Sequence, residues 1–594
     1  MATMTQRDPR VPGPWRHLAS YWPKIVLGIL CLVAVSGLQQ AIPMLVKLAL
    51  DDMKQGAHKV VMLATGIAAF GAGQAVLRIG SRFFLFDVAR TAEYDLRNRV
   101  FEHLLALAPS YYRRAMTGDV MSRLTSDVQT MRIMWGPGLV NFSSSVFSYV
   151  AGIAFMLSMS PRLTLWALIP YPFLALASRS FGRRMFKFSR EGQQQLGQLS
   201  AAAQEDMAGI SVVKSYTLEK ARQEAFARRS DIYLATNVKL AAVRGQMLPL
   251  LGAFGAVGTI IVLWKGGSMV THGELTLGQL LAFNMYVQLL VWPTLALGWT
   301  MSLFQRGAAS YVRVQELMAE RPTLLDGAQG APANAVRGEL ELRGLTITVP
   351  GAATEGRRIL DGVSLKIPAG ATCALVGRTG SGKTTLVEAV ARVLEVAPGQ
   401  LFLDGHDVTQ VPIAWTRAQV GYAPQEAFLF SASIEDNIAF GRPGRVSTEG
   451  AAERHAAVVR SSEVAGLARD LAALPAGLDT IVGERGITLS GGQRQRVALA
   501  RALAAAPRVL VLDDSLSSVD AHTEREILDR LAHERAGRTV ILISHRVAVT
   551  ADADLIAVLD EGKLVEVGNH EELMSRGGLY AELYRERTRE EEAA

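Results

Sequence analysis

Apolar and polar positions divide the chain into two unlike parts. Over the first ~320 residues, six apolar stretches approach the ~20 residues needed to cross a bilayer. They run over 24–50, 60–86, 133–158, 161–183, 246–270 and 277–303. Several carry internal Gly and Pro, which membrane helices tolerate. Long polar segments of helical pattern lie between the second and third stretches (87–130) and between the fourth and fifth (184–245). These are too long for simple loops, so the pattern predicts helices running on from the membrane. Residues 321–336, rich in Pro, Ala and Gly and without periodicity, read as a linker. From 337 on, short apolar strands alternate with helices, which is the pattern of an α/β domain. The expected fold is therefore multidomain: an all-α, six-helix transmembrane domain over 1–320, the linker, and an α/β domain over 337–594.

Composition agrees with two such parts. A chain of 594 residues is too long for one core. Its 49% apolar content is high for a soluble enzyme and low for a pure membrane bundle, as an average of the two would be. The net charge of +7 needs no nucleic-acid partner, because the basic residues follow the spans. Arg7, Arg10, Arg16 and Lys24 precede the first stretch; Arg90, Arg97, Arg99, Arg113, Arg114 and Arg123 crowd the first long segment; Arg183, Arg184, Lys187, Arg190 and Lys214 crowd the second. The short connections around Asp51–Lys59, Ser158–Arg162 and Lys265–Glu274 are poor in Lys and Arg or mixed. The positive-inside rule then puts both termini and both long segments in the cytoplasm, with the chain in the cytoplasmic (inner) membrane. The first 23 residues are polar, Pro-rich and basic and lack a cleavable signal pattern. Two cysteines, Cys31 and Cys373, exclude a disulfide framework.

Glycines punctuate the long segments. Gly118 is expected to break the helical pattern of "YYRRAMTGDVMSRLTSDV" (111–128), and Gly209 that of "EDMAGISVVKSYTLEKAR" (205–222). Each stretch reads either as a short helix offered to another domain or as an ordinary turn with solvated charges.

The α/β part carries the chemistry. "ALVGRTGSGKTTLVEAV" (374–390) follows an apolar strand, opens an amphipathic helix and matches G-x-x-x-x-G-K-[ST]. Backbone N–H groups of Gly377, Arg378, Thr379, Gly380, Ser381 and Gly382 can wrap phosphates, assisted by the helix N-terminus that Thr385 helps form. Lys383 is expected at the β- and γ-phosphates of ATP, and the Thr384 hydroxyl on Mg²⁺. "VLVLDDSLSSVD" (509–520) is a buried-strand pattern ending in two acids, and Asp513 is the natural partner of that metal. "ITLSGGQRQRVALARAL" (487–503) opens a second helix on glycines, a second candidate phosphate binder. One P-loop can use both ends only across an interface, which implies dimerisation through ATP.

"LSGGQ" (489–493), between a P-loop and a strand ending in Asp, resembles the signature of the ATP-binding cassette (ABC) family. The resemblance covers nearly the whole chain, with 1–320 similar to the six-helix transmembrane domain of ABC exporters and 337–590 to their nucleotide-binding domain. It implies that Ser490, Gly491, Gly492 and Gln493 contact ATP held on a second half-transporter. It makes Gln425 in "YAPQEAFLF" the Q-loop residue sensing Mg²⁺ and the γ-phosphate, His545 in "LISHR" the switch histidine, Asp520 the D-loop aspartate, and "VGERG" (482–486) the X-loop. It also makes the Gly118 and Gly209 stretches coupling helices.

Two departures stand out. The family usually has Glu after the Walker B aspartate, to polarise the attacking water; here it is Asp514, of similar basicity but one methylene shorter. Val349 stands where the family places an aromatic against adenine. Together with the intact signature, they resemble the Asp-bearing subunit of heterodimeric multidrug-type exporters. That implies a degenerate ATP site on this chain's P-loop and fast hydrolysis at the P-loop of a different, Glu-bearing chain. A homodimeric exporter or lipid flippase with slow hydrolysis is the alternative; a non-transport or importing ABC ATPase is the rival of another class. Cargo stays open among amphipathic drug, lipid and peptide, with membrane lipid around the spans.

Overall fold

The computed structural model describes residues 15–53, 59–349, 357–442, 450–483, 489–517, 519, 521–533, 537–544 and 547–593. The chain forms two compact units, one of residues 1–105 with 117–320 and one of 106–116 with 321–594.

The first unit is helical. Among the described residues, five helices are long and apolar enough to cross a membrane: Arg16–Met53, Val60–Ala106, Thr117–Met159, Glu219–Thr271 and Leu277–Ala319. They contain the first, second, third, fifth and sixth apolar stretches and run on beyond them, as the polar extensions of the pattern require. The fourth stretch differs. Pro161–Leu168 and Pro170–Ala208 are separate helices. Ile169 between them keeps helical dihedrals (φ −54°, ψ −42°), but Pro170 removes an N–H and crowds the preceding turn, so the ladder is interrupted. The second helix carries Arg179, Arg183, Arg184 and Lys187 within its first turns, which lowers its mean hydropathy.

Local irregularities have identifiable causes. The helical pattern at 111–128 breaks before Gly118, not at it. Pro109–Arg114 is a short helix ended by the extended Ala115 (ψ 133°), and Gly118 lies in the first turn of the next helix, Thr117–Ser122, where its N–H needs no helical partner. Gly209 does end the helix Pro170–Ala208, its N–H bonding back to Glu205 O, and the short helix Ile210–Ser215 follows. A π-turn at Arg123–Asp127 carries Asp127, which is 3% exposed. Its buried carboxylate is paired with the Arg313 guanidinium and accepts from Ser310 Oγ at 2.9 Å, which offsets the cost of burying it.

The second unit is α/β. A four-stranded antiparallel sheet has the order β2-β1-β4-β5, made from β1 (Leu340–Val349), β2 (Arg357–Ile367), β4 (Leu401–Leu403) and β5 (His406–Asp407). A six-stranded sheet has the order β10-β9-β3-β8-β7-β6. Its strands are β3 (Thr372–Val376), β6 (Val420–Ala423), β7 (Val509–Asp513), β8 (Thr539–Ile543), β9 (Leu555–Asp560) and β10 (Lys563–Gly568). From β9 to β6 all neighbours are parallel, and β10 is antiparallel to β9. Strands β3, β7 and β8 are buried at every position, which is why they read as unbroken apolar runs rather than alternation. No regular element occupies 321–339.

Candidate functional site

Open parallel sheets bind ligands beyond the carboxyl ends of their strands, and the candidate residues gather there. In the order β3-β8-β7, the P-loop leaves β3 and the two aspartates end β7, with β8 between them. The helix Lys383–Val390 begins directly after the loop.

The loop is shaped by glycine. Gly377 has φ +154°, and a Cβ on it would lie 2.1 Å from the Leu559 carbonyl oxygen. Gly382 has φ +102°, and a Cβ there would lie 2.8 Å from Leu360 Cδ2 and 3.0 Å from Ile359 O. No side chain fits either position. Arg378, Thr379 and Gly380 form the exposed crest, while Ser381 is 4% exposed and its Oγ finds no hydrogen-bond partner among the described residues. Lys383 is also buried, its Nζ donating to Gly377 O (2.8 Å) and Arg378 O (2.9 Å). Burial pulls its pKa down, Arg587 adds to the drop, and Asp513 and Asp514 oppose it.

Asp513 is 2% exposed. Thr384 Oγ1 donates to its Oδ1 at 3.2 Å, and the Tyr422 hydroxyl approaches its Oδ2 at 3.4 Å. Burial pushes the Asp513 carboxyl up to about 6; the carboxylates of Glu388 and Asp514 add to the rise, and the Thr384 and Tyr422 hydroxyls oppose it. Asp514 adopts φ +45°, and its N–H donates to Ile543 O at 3.0 Å. A non-glycine residue in that region is uncommon, Asp being among the more tolerant types, and such outliers cluster at functional sites.

The remaining candidates lie around this cluster or beyond it. Gln425 is exposed two residues past β6, at the same edge of the sheet. Val349 ends β1 and is 37% exposed. Thr385 is half-buried in the first turn after the P-loop. Ser490 caps the helix Gly491–Ala504: its Oγ accepts from Gln493 N (3.2 Å), and Gln493 Oε1 accepts from Ser490 N (2.9 Å), a reciprocal capping box. Gln493 Nε2 also donates to Asp470 Oδ1 at 3.0 Å. Gly491 and Gly492 open that helix, which packs on β6 and β7 rather than on the P-loop helix. Asp520, His545 and residues 484–486 of "VGERG" lie outside the described residues.

Both halves of the chain match known families. A family model of the ABC transporter transmembrane region matches residues 25–294, and a second, ABC transporter, matches 360–517. A probable multidrug resistance ABC transporter ATP-binding/permease protein of Bacillus subtilis (strain 168), YheI, is 33% identical over 569 residues, 95% of each chain. This chain is an ABC exporter half-transporter. An ATP-dependent lipid A-core flippase of Syntrophus aciditrophicus (strain SB) is 28% identical to the exporter, over 95% of this chain and 92% of the relative. The solved structure of a bacterial Atm1-family ABC exporter with ATP bound superposes with a TM-score of 0.76 at 27% identity, covering 96% of this chain and 99% of the other. The exporter is thus a multi-pass membrane protein that couples ATP hydrolysis to transport and works as a dimer.

The local geometry suits a nucleotide. Gly377 and Gly382 leave a cradle with no room for a Cβ, the buried Ser381 hydroxyl has no partner among the described residues, and the oxygen pair of Thr384 and Asp513 has the hard donors a divalent cation such as Mg²⁺ takes. Four participants escaped sequence reading. Tyr422 lies in the same segment as Gln425 but acts through strand adjacency; the Arg113–Glu388 ion pair joins residues 275 positions apart; Arg587 arrives from the last helix. Only Tyr422 had a local signal, its place three residues before the Q-loop glutamine.

Proposed function

We propose that the exporter moves an amphipathic drug, lipid or peptide out of the cell as one half of a heterodimer, this chain carrying the slower ATP site. In this reading 1–320 is the transmembrane domain, 321–336 the linker and 337–594 the nucleotide-binding domain, with both termini on the cytoplasmic side of the inner membrane. Lys383 and the loop from Gly377 to Thr385 hold the phosphates, Val349 lies against adenine, and Thr384, Asp513 and Gln425 hold Mg²⁺. Bound there, the ion would supply electrostatic stabilisation of charge on the phosphate oxygens. Asp514 orients water from a shorter arm, with His545 and Asp520 completing the site. Ser490, Gly491, Gly492 and Gln493 serve the partner's ATP.

The observation that carries the reading is the contrast between Asp514 and the signature. Asp514 is a methylene short and held at φ +45°, whereas Ser490 and Gln493 form a complete cap with the helix N-terminus exposed at Ser490. Displacing a catalytic group by about 1 Å can cost on the order of 10²-fold in rate. Fast turnover then belongs to a partner with Glu at that position. Native mass spectrometry on this chain, tagged and purified gently from its own membrane, is expected to show a 1:1 complex with a different cassette chain. A self-pair that hydrolyses ATP at an ordinary rate would sink the heterodimer.

A further inference from the structure

The last helix, Leu579–Ala593, ends in "RERTREEEAA" (585–594), which reads in sequence as a charged, solvated helix end. The start of the helix is anchored. Glu566 accepts from Leu579 N (2.7 Å) and Tyr580 N (3.1 Å), fixing the helix start, while Tyr580 and Leu583 are buried at 1% and 6%. So anchored, the helix runs past the nucleotide loop. Glu582 pairs with Arg378 on the P-loop crest at 3.1 Å. One turn on, half-buried Arg587 donates from Nη1 to Ser544 O at 3.2 Å.

Ser544 is the residue directly after β8. Its neighbour Ile543 pairs in register with Asp513 and accepts from Asp514 N–H. On its other side β8 pairs with β3, the strand that feeds the P-loop. A guanidinium held on the Ser544 carbonyl therefore stands at the carboxyl edge of the sheet, between the strand that ends in the two aspartates and the loop that ends in Lys383. Lys383 Nζ, held on Gly377 O and Arg378 O, belongs to the same edge. Two cations converging on one edge repel each other, and an anion of several charges arriving between them reverses the sign of that interaction. Arg is also the side chain best shaped to bind phosphate oxygens.

We propose that Arg587 is a further nucleotide-binding residue, through which the C-terminal helix contributes a cation to the polyphosphate held on this chain's P-loop. The Arg378–Glu582 pair is the clasp that keeps the helix in place. The proposal rests on the reading that this P-loop binds ATP, and its test separates the two.

The complete complex in nanodiscs would be photolabelled with 8-azido-ATP in EDTA, with labelling resolved by chain and competed by ATP, ADP and AMP. For this chain, Arg587→Ala is expected to raise the half-competing ATP concentration about tenfold, the size of a lost charge-assisted contact. The loss should shrink through ADP to AMP; Arg587→Lys should recover most of it, and Arg585→Ala, on the exposed face, should match wild type. Wild-type competition by Arg587→Ala overturns the proposal, as does an equal loss for all three nucleotides without rescue by lysine, which marks a structural role. If Arg587→Ala does not assemble, Arg587→Gln carries the same comparison at nearly constant volume. A wild-type chain that takes no label overturns the ATP reading itself, and the inference with it.

Discussion

A single buried carboxylate sets two opposing demands at the nucleotide site. Asp513 has its pKa raised from near 3.9 to about 6, so the folded chain binds a proton more tightly than the unfolded one does. Stability from this group is therefore fully present below about pH 4 and is lost as pH rises through 6. At pH 7.5 the ionised Asp513 costs the nucleotide-free fold on the order of 3 kcal/mol. Asp513→Asn is expected to raise the melting midpoint of nucleotide-free protein at pH 7.5 by a few degrees, and to abolish the extra stabilisation by ATP with Mg²⁺ over ATP alone. Differential scanning fluorimetry at several pH values reads both, and a lower midpoint at pH 7.5 would contradict the account. The opposite dependence holds for the cation: below pH 6 protons compete for the same oxygens, so Mn²⁺ affinity measured by electron paramagnetic resonance should fall as pH drops from 7.5 to 5.5. Much of this centre was legible in the sequence, because Gly377, Gly382, Lys383 and Thr384 fall within one short stretch and glycine is dictated by backbone shape alone. Tyr422 was not, since its approach to Asp513 depends on β6 lying beside β7.

Elements carry the next level of information, and here the sequence was read less completely. Buried strands β3 and β7 announced themselves as apolar runs, and the capping box at Ser490 and Gln493 is visible in four consecutive letters. The break at Pro170 was missed because hydropathy averages over a proline that the hydrogen-bond ladder cannot ignore. The break before Gly118 was misplaced because Ala115, with no sequence mark of its own, takes the extended conformation. Pairings between distant elements left no trace. Arg113, in the short helix Pro109–Arg114, is paired with Glu388 on the helix that follows the P-loop, and both belong to the same compact unit. Glu388 in turn acts on Asp513. Arg113→Glu is therefore expected to lower ATP turnover several-fold by leaving two acids facing each other, and adding Glu388→Arg should restore much of it. A double variant as slow as the single one would show that the pair is incidental.

For the whole molecule, charge and hydropathy make a definite prediction about sidedness. With Cys31 and Cys373 replaced, a cysteine at His272, in the turn between Glu219–Thr271 and Leu277–Ala319, should react with a membrane-impermeant maleimide on intact cells. One at Ser215, ending the short helix after Gly209, should react only after permeabilisation. The reverse pattern would invert the topology. The helices also run far past the bilayer thickness, and their length has a mechanical meaning. The helix Pro170–Ala208 has 39 residues, or ~58 Å at 1.5 Å per residue. As a stiff rod that turns by ~10° about its start, it would carry its far end through ~10 Å. The interrupted ladder at Ile169 stands at the fulcrum of such a lever, where a small change of angle is converted into a stroke as long as a helix is wide.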